Sequence, residues 1–184
     1  MVFFHGTNFI PFSAYSAPSY VVVHSCKYVN LVGRRKGLKK RFYHKLYQKI
    51  YSDKHLLCVS ESAKEDMLTL MKARPKSIAT IYNGFDFRKM KELAEQPCDL
   101  DLPEKFIMAA GRPDRTKRFD VLLRAYANAS SKETHELVIF GEGRGLPELK
   151  RLSRELGIER HVHFLGFYSP LNAVYKYASL YVLS

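Results

Sequence analysis

Apolar residues change their spacing along the chain, and each change predicts an element. Tyr20 to His24 is a β-branched run, Tyr-Val-Val-Val-His, which predicts a buried strand. The residues before it mix aromatics with Pro, Gly and Ser without a helical period, so they read as loop with one short strand. Leu38, Phe42, Tyr43, Leu46, Tyr47, Ile50 and Tyr51 recur at helical spacing and predict a helix over 38–51. Its other face carries Lys39, Lys40, Arg41, His44, Lys45 and Lys49. Tyr43, Tyr47 and Tyr51 then fall on a core or interface stripe. A strand at His55–Ser60 is followed by a helix whose Ser62 and Glu65 are spaced as a capping box. Ile78–Tyr82 predicts a strand closed by the turn Asn83-Gly84, and Asp86 is placed to cap a short helix through about Ala94.

Residues 95–104, EQPCDLDLPE, hold two prolines and four acids and predict a linker. Beyond it the pattern is regular. Strands at Lys105–Ala110, Glu136–Phe140, His161–Leu165 and Leu180–Leu183 alternate with helices ending near Asn128, spanning Leu146–Leu156, and lying near Pro170–Ala178. That alternation predicts an α/β chain with parallel sheets flanked by helices. The expected organisation is a first domain over 1–94, the linker, and a second domain over 105–184. Ligands bind such sheets at the carboxyl ends of the strands. The loops Gly111–Arg118 and Gly141–Gly145 and the turn at Gly166 are therefore the places to seek chemistry.

Composition narrows the class. The chain has 184 residues, 46% hydrophobic and 26% charged, which is globular rather than disordered. No run approaches the ~18 apolar residues of a transmembrane helix. Cys26, Cys58 and Cys98 are odd in number and far apart, forming no CxxC pair, which suits a reducing cytoplasm. No basic stretch precedes the apolar N-terminal residues, which argues against a signal peptide. The first 52 residues carry nine Lys/Arg and no acid, so +9 of the net +12 sits there. Such a segment attracts phosphates, nucleic acid or an anionic membrane surface. A solvated basic face is the plain alternative.

The loop Gly111-Arg112-Pro113-Asp114-Arg115-Thr116-Lys117-Arg118 places four cations between a strand end and a helix start. Free N–H groups at a helix start favour anions, and Arg and Lys there make a diphosphate clamp. A solvated basic turn fits the charges equally well. Gly141-Glu142-Gly143-Arg144-Gly145 lets backbone approach a ligand, or is simply a tight turn. It is neither a Walker loop nor a dinucleotide fingerprint.

The ordered series is Val59-Ser-Glu-Ser62, Ile81-Tyr-Asn-Gly-Phe-Asp86, Ala110-Gly-Arg-Pro-Asp-Arg-Thr-Lys-Arg-Phe-Asp120, Leu137-Val-Ile-Phe-Gly-Glu-Gly143, Val162-His-Phe-Leu-Gly-Phe167 and Tyr177-Ala-Ser-Leu-Tyr-Val-Leu-Ser184. It resembles the family 4 glycosyltransferases of the GT-B fold. The resemblance implies parts of two Rossmann-like domains and a retaining transfer of sugar from a nucleotide-sugar donor, UDP- or GDP-linked, to a glycan or lipid-linked acceptor. Bacterial lipopolysaccharide or surface-polysaccharide synthesis is the implied setting. By position Arg112 and Lys117 match the donor-diphosphate pair, and Gly111, Gly141 and Gly143 the glycine turns near the nucleotide. Phe164, Leu165 and Gly166 match the segment beside the base. His24 matches the catalytic-cleft residue facing sugar and acceptor.

No cofactor is implied, and no metal, since the enzymes it resembles commonly need none and the sequence shows no His/Cys cluster suited to one. The basic, amphipathic helix over 38–51 and the residues before it suggest membrane or acceptor contact through Arg34, Arg35, Lys36, Lys39 and Lys40. The expected location is cytoplasmic, peripheral at the inner face of the membrane. The family's Glu-x7-Glu motif and its first glycine-rich loop have no match, so the chain is expected to be a fragment. Two alternatives stand: an inactive remnant that at most binds nucleotide, and a basic nucleic-acid-binding module over 27–49. The second lacks any helix-turn-helix, zinc or RNP signature.

Overall fold

A computed structural model describes residues 1–5, 19–25 and 37–183. The chain packs as two compact units, Met1–Gly84 and Phe85–Ser184.

In the first unit, β1 (Val2–His5), β2 (Ser19–Val23), β3 (His55–Cys58) and β4 (Ser77–Thr80) form one parallel sheet in that order. Side chains alternate across a strand, so Val21, Val23, Leu56 and Cys58 share the buried face. Helices α1 (Gly37–Tyr51) and α2 (Glu61–Thr69) supply Ile50, Tyr51, Ala63 and Met67 to the same core. The apolar stripe of α1 is buried only at its C-terminal end. Leu38 and Phe42 remain 83% and 63% exposed beside Lys39 and Lys40.

The cap of α2 differs from the sequence expectation. Ser60, not Ser62, accepts the Ala63 N–H through its hydroxyl at 3.1 Å. The chain leaves β3 extended at Ser60 (φ −156°, ψ 157°), so the helix opens two residues before the capping-box spacing implies. Ser60→Ala should therefore lower stability by about 1 kcal/mol in urea unfolding. Ser62→Ala, at an exposed position, should change it by less than about 0.5 kcal/mol.

In the second unit, α3 (Phe87–Ala94) begins at Asp86, whose carboxylate accepts the Lys89 N–H at 3.0 Å, as the sequence predicts. Strands β5 (Phe106–Ala110), β6 (Glu136–Phe140), β7 (Val162–Gly166) and β8 (Leu180–Tyr181) form a parallel sheet of order β7-β6-β5-β8. Residues 95–104, expected as a linker, contribute to this unit: Cys98, Leu100 and Leu102 pack against the cluster of Phe106, Met108, Val138, Phe140 and Val174. The opposite face buries Ala109, Leu137 and Ile139 beneath α4 (Phe119–Asn128) and α5 (Leu146–Glu155). Phe119, Leu122, Leu123 and Tyr126 are the i, i+3, i+4, i+7 stripe of α4. Burial on both faces explains why β5 and β6 read as nearly continuous apolar runs. The helix expected near 170–178 is one turn, α6 (Asn172–Tyr175), with Ala173 and Val174 buried.

Beneath the sheet, the Tyr126 hydroxyl donates to the His135 carbonyl at 2.8 Å. Burial, with the Glu136 charge, pushes that phenol up to about 12.

Candidate functional site

The carboxyl ends of β5, β6 and β7 meet at glycines. Gly111 N–H donates to the Phe140 carbonyl at 2.9 Å, and Gly141 N–H donates to the Gly166 carbonyl at 2.6 Å. The three strand ends are thus stitched in a row. Gly141 has φ +129°, and a Cβ there would stand 2.0 Å from the Gly111 carbonyl oxygen. Only a residue without a side chain fits such an approach.

The two loops beyond these glycines also pack on each other. Gly145 N–H donates to the Pro113 carbonyl at 3.1 Å. A Cβ on Gly145 would come within 2.7 Å of that oxygen, and one on Gly143 within 3.0 Å of it and of Arg112 Cγ. Pro113 is buried. The Lys117 stem lies over Gly111, its Cε 3.0 Å from where a Cβ would project. The cationic loop after β5 is therefore clamped onto the glycine loop after β6, beside the start of α5.

Asp114 organises the cationic loop. Its carboxylate accepts the Thr116 N–H at 2.8 Å, the Thr116 hydroxyl, and the Arg112 Nε–H at 3.1 Å. The Thr116 hydroxyl and N–H, followed by Arg112, hold its carboxyl well below the ordinary 3.8, at about 2. The folded value lies below the unfolded one. The turn's contribution is therefore complete above about pH 4 and is lost as pH falls through about 2. An NMR titration should put the Asp114 midpoint near 2; a midpoint at the ordinary value would mean that the turn does not form. The Asp-x-Thr spacing of an Asx turn is the sequence signal for this role. Arg118 turns the chain into α4 with φ +47° and forks onto Asp120 with two hydrogen bonds of 3.1 Å.

Gly111, Arg112, Lys117, Gly141, Gly143 and Gly166 thus converge in the second unit. Phe164 and Leu165 are half-buried on opposite faces of β7, each packed against a core cluster, so their backbone is what the site presents. His24 lies in the first unit, exposed beyond the carboxyl end of β2. Lys39 and Lys40 are exposed in α1, whereas Arg34, Arg35 and Lys36 lie outside the described residues. Among the described residues no three His, Cys, Asp or Glu side chains gather to hold a metal, and no helix is long and apolar enough to cross a membrane.

Residues 90–184 match the family model described as "Glycosyl transferases group 1". A curated Campylobacter jejuni relative is named N-acetylgalactosamine-N,N'-diacetylbacillosaminyl-diphospho-undecaprenol 4-alpha-N-acetylgalactosaminyltransferase. It is 30% identical over 179 residues, covering 96% of this chain and 47% of the relative. The crystal structure of Anabaena HepE in complex with UDP aligns with TM-score 0.69 at 17% identity, over 90% of this chain and 46% of that one. TarM of S. aureus aligns with TM-score 0.70 at 20% identity, over 98% of this chain and 35% of that one. At those identities the two structures speak for the fold alone. The chain spans about half the length of the curated relatives it matches.

Proposed function

From the premise that this chain belongs to the group 1 glycosyl transferases, of GT-B fold, we propose that its second unit holds the nucleoside diphosphate of a nucleotide-sugar donor, for transfer of the sugar with retention to a glycan or lipid-linked acceptor. Arg112 and Lys117 bind the diphosphate. Gly111, Gly141 and Gly143 let it approach the backbone, and the Phe164–Gly166 segment lies beside the base. His24 of the first unit faces sugar and acceptor.

The observation that carries this reading is the clamp of the loop 111–118 onto Gly141, Gly143 and Gly145. It fixes two cations where strand ends and a helix start converge, the usual ligand site of such sheets. A leaving nucleoside diphosphate gains charge as the glycosidic bond breaks, and preplaced Arg and Lys stabilise that charge. In this reading they perform the neutralisation that a metal would otherwise supply. UDP is the first nucleotide to try, because the Anabaena protein of the same fold was crystallised with it. A lipid-diphosphate acceptor suits the name of the Campylobacter relative. Exposed Leu38 and Phe42 beside Lys39 and Lys40 would give α1 a peripheral hold on an anionic membrane. Surface-glycan or lipopolysaccharide assembly is the corresponding setting.

Calorimetric titration of the full chain with UDP, GDP and ADP tests the reading, beside an Arg112→Ala/Lys117→Ala variant. Saturable binding of one nucleotide, lost in the variant, is expected. A cooperatively melting chain that binds none of them would overturn it. Nucleotide binding without sugar transfer would leave a nucleotide-binding unit. Steeply salt-dependent binding to any nucleic acid, with no nucleotide preference, would favour a basic nucleic-acid module instead.

A further inference from the structure

Strand β7 is an edge of its sheet. Among the described residues it pairs with β6 on one side and with no strand on the other. Such a strand presents a row of unpaired N–H and C=O groups, which natural chains cover or blunt with lysine, proline or a bulge. Val162-His-Phe-Leu-Gly166 holds neither lysine nor proline. Its one irregularity is a register shift near its end, where Phe140 pairs with Gly166 rather than Leu165.

A groove of about 430 Å³ lies beside this edge, between β7 and α5. Val162, Phe164 and Leu165 line it from the strand, Lys150 and Arg154 from the helix. Both cations are exposed, and neither makes an ion pair or side-chain hydrogen bond with a described residue. Arg151, the neighbouring cation of α5, is held by Glu155 at 3.3 Å. His163 is engaged by Glu136 of the adjacent strand. The groove therefore offers two uncompensated positive charges against one acid, Glu159, in the turn before β7.

The spacing of those charges fits an extended chain. Lys150 and Arg154 stand four residues apart, so they share one face of α5 about 6 Å apart along its axis. Side chains on one face of a strand recur every ~6.6 Å. Carboxylates at alternate positions of a strand laid against β7 would meet Lys150 and Arg154 in turn, while its backbone bonds to the open edge. A second copy of this chain fits less well. Paired antiparallel through β7 about a two-fold axis, it would bring its own Lys150 and Arg154 to the same seam, like charge against like.

We propose that the open edge of β7 is a docking surface for an extended acidic segment of a partner protein, added to the sheet as a further strand and held by Lys150 and Arg154. In that mode main-chain hydrogen bonds supply affinity and the flanking side chains supply selectivity. The inference does not depend on the donor-site reading above.

The probe is an end-blocked peptide alternating glutamate with valine, titrated into the full chain and followed by fluorescence anisotropy. Saturable binding is expected, with slowed amide exchange within Val162–Gly166. Lys150→Glu/Arg154→Glu should weaken it by about tenfold or more, since two attractions become repulsions. Arg151→Glu should change it by about twofold at most, because that guanidinium already has Glu155. The glutamate peptide N-methylated at every amide, and a lysine–valine counterpart, should not bind. No saturable binding of the glutamate peptide would overturn the proposal. Equal binding of its N-methylated form would also overturn it, by leaving charge attraction without strand addition. So would a chain already dimeric, with β7 protected before any peptide is added, since the edge would then belong to a second copy.

Discussion

Gly141→Ala is expected to cost at least about 3 kcal/mol of stability in the second unit, and to abolish nucleotide binding in whatever folded fraction remains. Two costs add. At φ +129° an alanine is in a backbone region that L side chains rarely adopt. Its Cβ would also lie 2.0 Å from the Gly111 carbonyl oxygen and 2.7 Å from the carbonyl carbon. Both are backbone atoms, and Gly111 is itself held by its N–H to Phe140. No side chain can swing aside, so the strand ends must separate or the loop must unfold. Gly84→Ala is the control. Nothing lies within 4 Å of a Cβ there, so unfolding should move by less than about 0.5 kcal/mol. Urea unfolding of both variants, followed by nucleotide titration, checks the pair. A Gly141→Ala protein as stable as the parent would mean that the two loops do not meet.

Arg112→Ala/Lys117→Ala should lower stability by about 1 kcal/mol at most, through the Lys117 stem packed over Gly111, and weaken nucleoside diphosphate binding by about a hundredfold or more. That follows from two charged hydrogen-bond partners at roughly 1.5–3 kcal/mol each. The Arg112 side chain is 77% exposed and its folded partner is Asp114, which keeps Thr116 when the arginine is removed. Little stability depends on so exposed a pair. Arg112→Lys should recover only part of the affinity, because lysine supplies charge without the planar fork. The loss should be larger for diphosphate than for monophosphate nucleotides. An equal loss for uridine would place the effect outside the phosphate contacts.

Much of the second unit is legible in the sequence alone. Glu136–Phe140 and the helix beginning at Leu146 fall where the periodicity puts them, because burial on both sheet faces enforces a long apolar run and a clean helical stripe. The Asp86 cap was legible for the same local reason: its carboxylate needs only the N–H three residues on. Ser60 was not, since the capping-box spacing at Ser62 and Glu65 competes with it. The choice depends on where the chain leaves β3. The place of residues 95–104 was obscured by composition. Two prolines and four acids read as linker, although Cys98, Leu100 and Leu102 find a core face to cover.

By itself the sequence determined the alternation of strands and helices, the cations of 111–118, the glycines of 141–145 and the family series that joins them. Each is a local property, written in periodicity, residue type and order. The tertiary structure decided that these two loops, some thirty residues apart in the sequence, are one object. Gly111 and Gly141 are required because they face each other, which spacing within either loop cannot reveal. The role of Asp114 is local, an Asx turn within its own loop, whereas the position of Glu142 over Gly166 depends on the fold. A carboxylate among cations looks like charge balance, and the fold separates the acid tied to Thr116 and Arg112 from the acid that lies over the end of β7.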